Sequence, residues 1–361
     1  MKNDLAQRPV RSNPVVGSFV ELQGQVKGAG LLVRRRGYYL TVFSVLVLAY
    51  ASAWAGFGLL GHSGFQLLVA VGLGILMTQF GFLAHEAAHR QVFASWGAND
   101  WFARLVATGL SGISYAMWQQ KHTRHHANPN MIGKDPDIRP GVVVFYDEAA
   151  AKRPAFLHFI AKRQGYFLFF LLPFLGFSLQ VDSYKHLLSK GRVDRRALEL
   201  VILTARICVV PVLAFIFLPP ALAIGFVLIQ QGVFGFYMGA TFAPNHKGMK
   251  VFAENDRVDF LTRQVRSSRN ISGGWAMDVL MGGLNYQIEH HLFPSMPRPA
   301  LRRAAAMVRR TCAEQGIPYT STSLLTSYGI VMRYLNAVGY GRGSAFECPL
   351  AENLRQPLAR V

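Results

Sequence analysis

Charge is scarce in this chain, and acid is the scarcer sign. Of 361 residues, 16% are Asp, Glu, Lys or Arg, with 19 acidic against 38 basic and a formal net charge of +19. Hydrophobic residues make up 51%, and mean hydropathy is +0.23. A soluble domain is about 25% charged, so the deficit excludes an ordinary soluble protein and points to long buried spans. Cysteine is nearly absent. Cys208, Cys312 and Cys348 stand far apart with no C-x-x-C spacing, which excludes a disulfide scaffold, a Cys-ligated zinc site and a Cys-ligated iron–sulfur cluster. No strand-rich block and no repeat of about 20–50 residues occurs. A basic excess can mean nucleic acid, but on so apolar a chain it fits basic cytoplasmic loops, and no nucleic-acid partner is expected.

Asp, Glu, Lys and Arg are missing altogether from Gly37 through His85. Two apolar runs, 39–60 and 65–84, flank the turn GHSG there. Each approaches or exceeds the about 20 residues that cross a bilayer, and the short turn makes them an antiparallel hairpin. Arg34, Arg35 and Arg36 put the N-terminal side in the cytoplasm. Residues 1–37 read as a loose basic arm, with Pro9 and Pro14 and no apolar stretch such as a cleavable signal needs. Three more runs follow, 166–181, 198–218 and 221–242. If later histidines share a compartment with earlier ones, crossings must be even in number. The connector carrying Lys185, Lys190, Arg192, Arg195 and Arg196 belongs in the cytoplasm. Run 166–181 is therefore expected to be interfacial or re-entrant, and the last two runs to form a second hairpin turning at Pro219 and Pro220. Arg206, inside the third span, is expected to face the bundle interior or to snorkel. Beyond residue 242 the chain is polar and basic, with an apolar patch at 275–284 and an amphipathic basic helix over LRRAAAMVRR. The expectation is an all-α integral membrane protein: an arm (1–37), a membrane domain (38–340) with four spans in two hairpins, an interfacial helix and a cytoplasmic histidine-rich cap, and a poorly ordered tail (341–361). Ala-, Gly- and Arg-rich usage suggests a bacterial plasma membrane.

Histidine is where the chemistry concentrates. MWQQKHTRHH holds His122, His125 and His126, which in a helix take positions i, i+3 and i+4 on one face. HEAAH sets His85 and His89 at i, i+4 at the end of a span, the H-E-x-x-H pattern of zinc hydrolases with Glu86 as base. NYQIEHHLFP repeats the i, i+3, i+4 pattern with Gln287, His290 and His291, and His246 follows the last span. Eight of the 11 histidines thus fall on one membrane face. That exceeds one zinc ion with about three protein ligands and fits two metal ions with open positions for oxygen. His62, His158 and His186 are isolated and read as ordinary loop or interfacial histidines.

These boxes, in this order between two hairpins, resemble those of the membrane fatty-acid desaturases. HHANPNMIGKDPDI and NYQIEHHLFPSMPR match too, and the resemblance covers roughly residues 38–320. Gln287 resembles the front-end and linoleoyl-CoA-type branch. The resemblance implies two iron ions (Fe2+/Fe3+) on His85, His89, His122, His125, His126, His290 and His291, with His246 a further ligand and Gln287 a weak ligand or one acting through water. Asp135 and Asp137 match the family's DPD stretch, and either orient an imidazole or form a Pro-bounded turn. Glu86 and Glu289 are candidates for the same orienting role or face solvent. Implied with them are O2 as co-substrate, a fatty acyl substrate on CoA or phospholipid, and a cis double bond as product. Many members of this branch carry a fused haem domain. Residues 1–37 lack its histidine motif, which implies an external donor of ferredoxin, cytochrome or flavin type. The rivals are a di-iron hydroxylase with the same ligands, an intramembrane zinc protease using HEAAH, and a metal carrier. Carriers hold their ligands near the bilayer midplane rather than at one face.

Overall fold

The computed structural model describes residues 14–343, so the tail expected from residue 341 falls almost wholly outside the described residues. In chain order the helices are α1 Pro14–Gly28, α2 Arg36–Leu60, α3 Gln66–Ala88, α4 Trp96–Arg104, α5 Tyr115–Ala127, α6 Asp147–Ala151, α7 Ala155–Ala161, α8 Gln164–Leu171, α9 Leu175–Leu187, α10 Arg196–Phe217, α11 Pro220–His246, α12 Phe260–Arg266, α13 Gly274–Leu280, α14 Gln287–Leu292, α15 Arg298–Glu314 and α16 Leu324–Gly339. A π-helical turn, Leu105–Ser111, continues α4. Among the described residues the only sheet pairs β1 Asn270–Ser272 with β2 Ser321–Ser323 in parallel. The fold is all-α, as its composition requires.

Among the described residues, five helical runs are long and apolar enough to cross a membrane: α2, α3, the run Gln164–Leu187, α10 and α11. The first hairpin turns at Gly61, whose φ of 54° suits a residue without Cβ. Gln66 Nε2 donates to the Phe57 and Gly61 carbonyls at 2.7 and 2.9 Å, occupying acceptors at the end of α2. The second hairpin turns at Pro219, with Pro220 at the first helical position, where its missing N–H costs nothing. Both α3 and α11 run past their apolar stretches, to Ala88 and His246. Each therefore carries the first polar turn beyond the bilayer as helix, with histidine in it.

Residues 164–187 differ from the expected short interfacial piece. They form a longer apolar run, broken into α8 and α9 by a 3-10 turn at Leu172–Phe174 around Pro173. The break lies directly on α11. A Cβ on Gly235 would stand 2.5 Å from the Pro173 carbonyl oxygen, so only glycine admits this approach. The N-terminal arm also differs. Residues 14–28 are helical, and Leu22 and Val26 are fully buried in a core shared with α12, α14 and α15. Its apolar positions are spaced for a helix but are diluted by polar residues and by Gly17 and Gly24, so in sequence it reads as loop. Arg206 faces inward: it is buried, and its Nε donates to the Leu110 carbonyl at 3.0 Å, at the C-terminal end of the π-helical turn, where positive charge is favoured.

A buried ion pair anchors the start of α5. Arg104 bonds the fully buried Glu199 of α10 and, at 2.7 Å, Asp194. Glu199 in turn receives the hydroxyl of Ser114, the N-cap of α5, and the Ala116 amide at 3.1 Å. Breaking a buried pair by removing one partner costs about 3–5 kcal/mol. Arg104→Ala should therefore lower unfolding free energy by about that amount in detergent, and adding Glu199→Leu should recover part of it. Equal stability of Arg104→Ala and wild type in thermal melts would remove this anchor from the account.

Candidate metal centre

Four elements bring the histidines together. His85 lies in the last turn of α3, with His89 capping it, and the chain leaves at Arg90 with φ of 63°. His122, His125 and His126 lie on α5, His246 ends α11, and His290 and His291 lie on α14. Their ligand atoms form two groups, His85, His89, His122, His126 and His290 in one, and His125, His246 and His291 in the other. Within each group all ligand atoms lie within 4.8 Å of one another. The groups interleave: consecutive residues on a helix point about 100° apart, so His125 and His126 enter different groups, as do His290 and His291.

The three-histidine group fixes its own chemistry. His125 Nδ1 faces Asp135 at 3.0 Å, His246 Nδ1 faces the Ser267 carbonyl at 2.9 Å, and His291 Nδ1 faces Gln264 Oε1 at 2.9 Å. Gln264 is held in that orientation because its Nε2 donates to the His126 carbonyl at 2.9 Å. Every one of these partners only accepts, so each Nδ1 carries the proton and each Nε2 of a neutral ring presents a lone pair. The lone pairs converge. When both rings are neutral, the His125 and His246 Nε2 atoms, 3.3 Å apart, have no hydrogen to share, and His291 Nε2 is buried with no hydrogen-bond partner. A shared cation resolves that arrangement, and the donor set suits a transition metal.

In the five-histidine group, His122 Nε2 lies 3.0 Å from His85 and 2.9 Å from His89, and His126 and His290 Nε2 are 3.1 Å apart. Burial, and after it the charge of neighbouring imidazoles, holds His89, His122, His126, His290 and His291 well below the ordinary histidine range, so these rings are neutral and ready to donate lone pairs. For His125 burial pulls the same way, but Asp135 and Asp137 outweigh it and raise its pKa.

The acidic residues divide by role. Asp135 binds His125 and also caps the turn after it, accepting the Asn130 and Asp137 amides at 2.7 and 2.8 Å. Asp137 lies 3.4 Å from His125 and pairs with Lys121 at 2.9 Å. The orienting and turn readings therefore both hold for this stretch. Glu86 does not face the histidines as a free base: Arg298 engages both its oxygens at 2.7 Å, binding α3 to α15. Glu289 is fully buried and accepts from Asn270 at 2.7 Å and Tyr319 at 2.8 Å, while Asn270 accepts the Ile288 amide at 2.9 Å. Neither acid faces solvent. Gln287 sits beside His246, 2.9 Å from its Nε2. His62, His158 and His186 join none of these groups. Sequence reasoning missed Gln264, Asn270, Arg298 and Tyr319. They stand alone in sequence, without box spacing, and only folding brings them to the histidines.

The pattern described as fatty acid desaturase matches residues 63–323 of this chain. The chain is 29% identical over 342 residues to the Delta(5) fatty acid desaturase fat-4 of Caenorhabditis elegans, covering 88% of this chain and 73% of that one. It is 28% identical over 339 residues to the Delta(6)-fatty-acid desaturase fat-3 of the same organism, covering 89% and 74%. It is 29% identical over 294 residues to the Delta(8)-fatty-acid desaturase of Euglena gracilis, covering 76% and 70%. These organisms are eukaryotes and lend no support to the bacterial plasma membrane expected from composition.

Removing the partner that orients a ligating imidazole typically costs about 10–100-fold in metal affinity. Asp135→Ala should weaken metal retention by about that factor in competition with a chelator. Retention equal to wild type would mean that Asp135 serves the turn alone.

Proposed function

Because the chain belongs to the fatty acid desaturase family, we propose that it is an oxygen-dependent desaturase that introduces a cis double bond into an acyl-CoA or acyl-lipid chain. Two iron ions, with O2 as co-substrate and two electrons from an external ferredoxin-, cytochrome- or flavin-type donor, supply the oxidising power that an unactivated methylene pair demands. His85, His89, His122, His126 and His290 hold one iron; His125, His246 and His291 hold the other. The observation that carries this reading is the convergence of three buried Nε2 lone pairs whose Nδ1 protons are all fixed by acceptors.

The protein's own contribution is orientation. Asp135, the Ser267 carbonyl and Gln264 each keep a proton on the outer ring nitrogen, so the inner nitrogen stays a donor of electrons. The Glu86–Arg298 pair and the Asn270–Glu289–Tyr319 bonds tie the first and third boxes to the cap, where a small misplacement of the reacting carbons is costly. For the acyl chain the fold offers an apolar groove of about 570 Å³, walled by Ile75, Ile229, Val233, Phe236, Tyr237 and Leu280. At its edge Gln79 Nε2 donates to the Tyr237 hydroxyl at 2.7 Å, and that hydroxyl to the Leu280 carbonyl at 2.6 Å, six residues before His85 on α3. We assign the histidine face to the cytoplasm, on the strength of Arg34, Arg35 and Arg36 before α2. Residues 164–187 we read as re-entrant. Gln164 at one end bonds Val144 and Leu335 of the cap, and Ser183 near the other accepts the Ser114 amide beside α5, so both ends lie on the histidine side.

The test is expression in a host with a defined saturated lipid pool, with products read by mass spectrometry. Desaturation yields a chain two hydrogens lighter; a chain carrying one added oxygen would make the enzyme a hydroxylase. His125→Ala should abolish turnover and lower bound iron, whereas His186→Ala should do little to either. Equal effects of the two substitutions would undo the ligand assignment.

A further inference from the structure

The three-histidine group is bordered by an amide where a fourth imidazole would otherwise complete it. Gln287 is buried, with Nε2 2.9 Å from His246 Nε2 and Oε1 3.2 Å from Asn245 Nδ2. Which end of the amide faces the imidazoles matters: a carbonyl oxygen can ligate a cation, but an amide nitrogen, its lone pair delocalised, can only donate hydrogen bonds. Asn245 decides between them. Its Nδ2 also meets two main-chain carbonyls, Thr241 at 3.2 Å and Leu284 at 3.1 Å. Turning Asn245 over would set its oxygen against two buried acceptors and leave them unsatisfied. With Nδ2 held there, a Gln287 nitrogen opposite it would set donor against donor, so the atom opposite is the oxygen, and Nε2 faces the inward Nε2 of His246, the side on which that ring would bind a cation.

We infer that Gln287 is a hydrogen-bond donor to the small exogenous ligand of the cation held by His125, His246 and His291, and not itself a ligand. The inference rests on the two-iron reading proposed above. It makes the two positions unequal. One has five protein ligands, His89 and His126 among them only half-buried. The other has three, all buried, with coordination positions left open beside a donor. Binding of small molecules then belongs to the three-histidine side, and the amide replaces a ligand by a directed N–H.

The experiment uses purified, iron-loaded full-length protein and azide as the probe, with iron per chain counted by mass spectrometry and azide affinity read from its absorption band. Gln287→Glu keeps the shape and adds a strong metal ligand but removes the donor; Gln287→Ala removes both. The expected result is two irons per chain in wild type and in both variants, with azide affinity lowered about ten-fold or more in each, the scale of a hydrogen bond to a charged group. Loss of about one iron in Gln287→Ala, restored in Gln287→Glu, with azide affinity unchanged, is the signature of a ligand and would overturn the inference. Fewer than two irons in wild type would remove its premise, and that failure shows before any variant is made.

Discussion

Everything at this site depends on where three protons sit. An imidazole offers a lone pair inward only if its other nitrogen keeps a hydrogen, and here that hydrogen is claimed by Asp135, by the Ser267 carbonyl and by Gln264. None of these partners belongs to either group of converging imidazoles. Each is fixed by something further out: Asp135 by the Asn130 and Asp137 amides, and Gln264 by the His126 carbonyl. The result is a buried set of lone pairs that repel one another until a cation lies between them.

That set is assembled from elements far apart in the chain, so the rest of the fold exists to hold those elements in register. Two long helices carry histidine out of the apolar layer in their last turns. The Arg104–Glu199 pair fixes the start of α5, the Glu86–Arg298 pair joins α3 to α15, and Asn270 joins β1 to the third box. These polar contacts are buried and mutually satisfied, the condition under which a buried network rigidifies a site. Apolar packing alone, being non-directional, would leave ring orientation free.

The parts that were legible in sequence are those with a period or a spacing. Apolar runs disclosed the five long apolar helical stretches found among the described residues, the box spacing disclosed seven of the eight histidines that now stand together, and its place after the last apolar run disclosed His246. Two kinds of feature were not legible. One is structure set by tertiary packing: α1, stabilised by burying Leu22 and Val26 and packing Phe19 against the cap, and the break at Pro173, whose position follows from the close approach to Gly235. The other is the single polar residue that meets its partner across long sequence separations, as Arg298 meets Glu86 and Asn270 meets Tyr319. The assignment of His125 and His126 to different groups also needed the structure, because one-face spacing does not say how a second helix divides that face.

The central claim is that the interleaved histidines form two metal positions, one in each group. It is tested most directly by an X-ray structure of the purified protein, with anomalous differences collected on both sides of the iron edge. The account predicts two iron peaks, one among His85, His89, His122, His126 and His290 and one among His125, His246 and His291. A single peak, or peaks that persist below the iron edge as another metal would give, would contradict it.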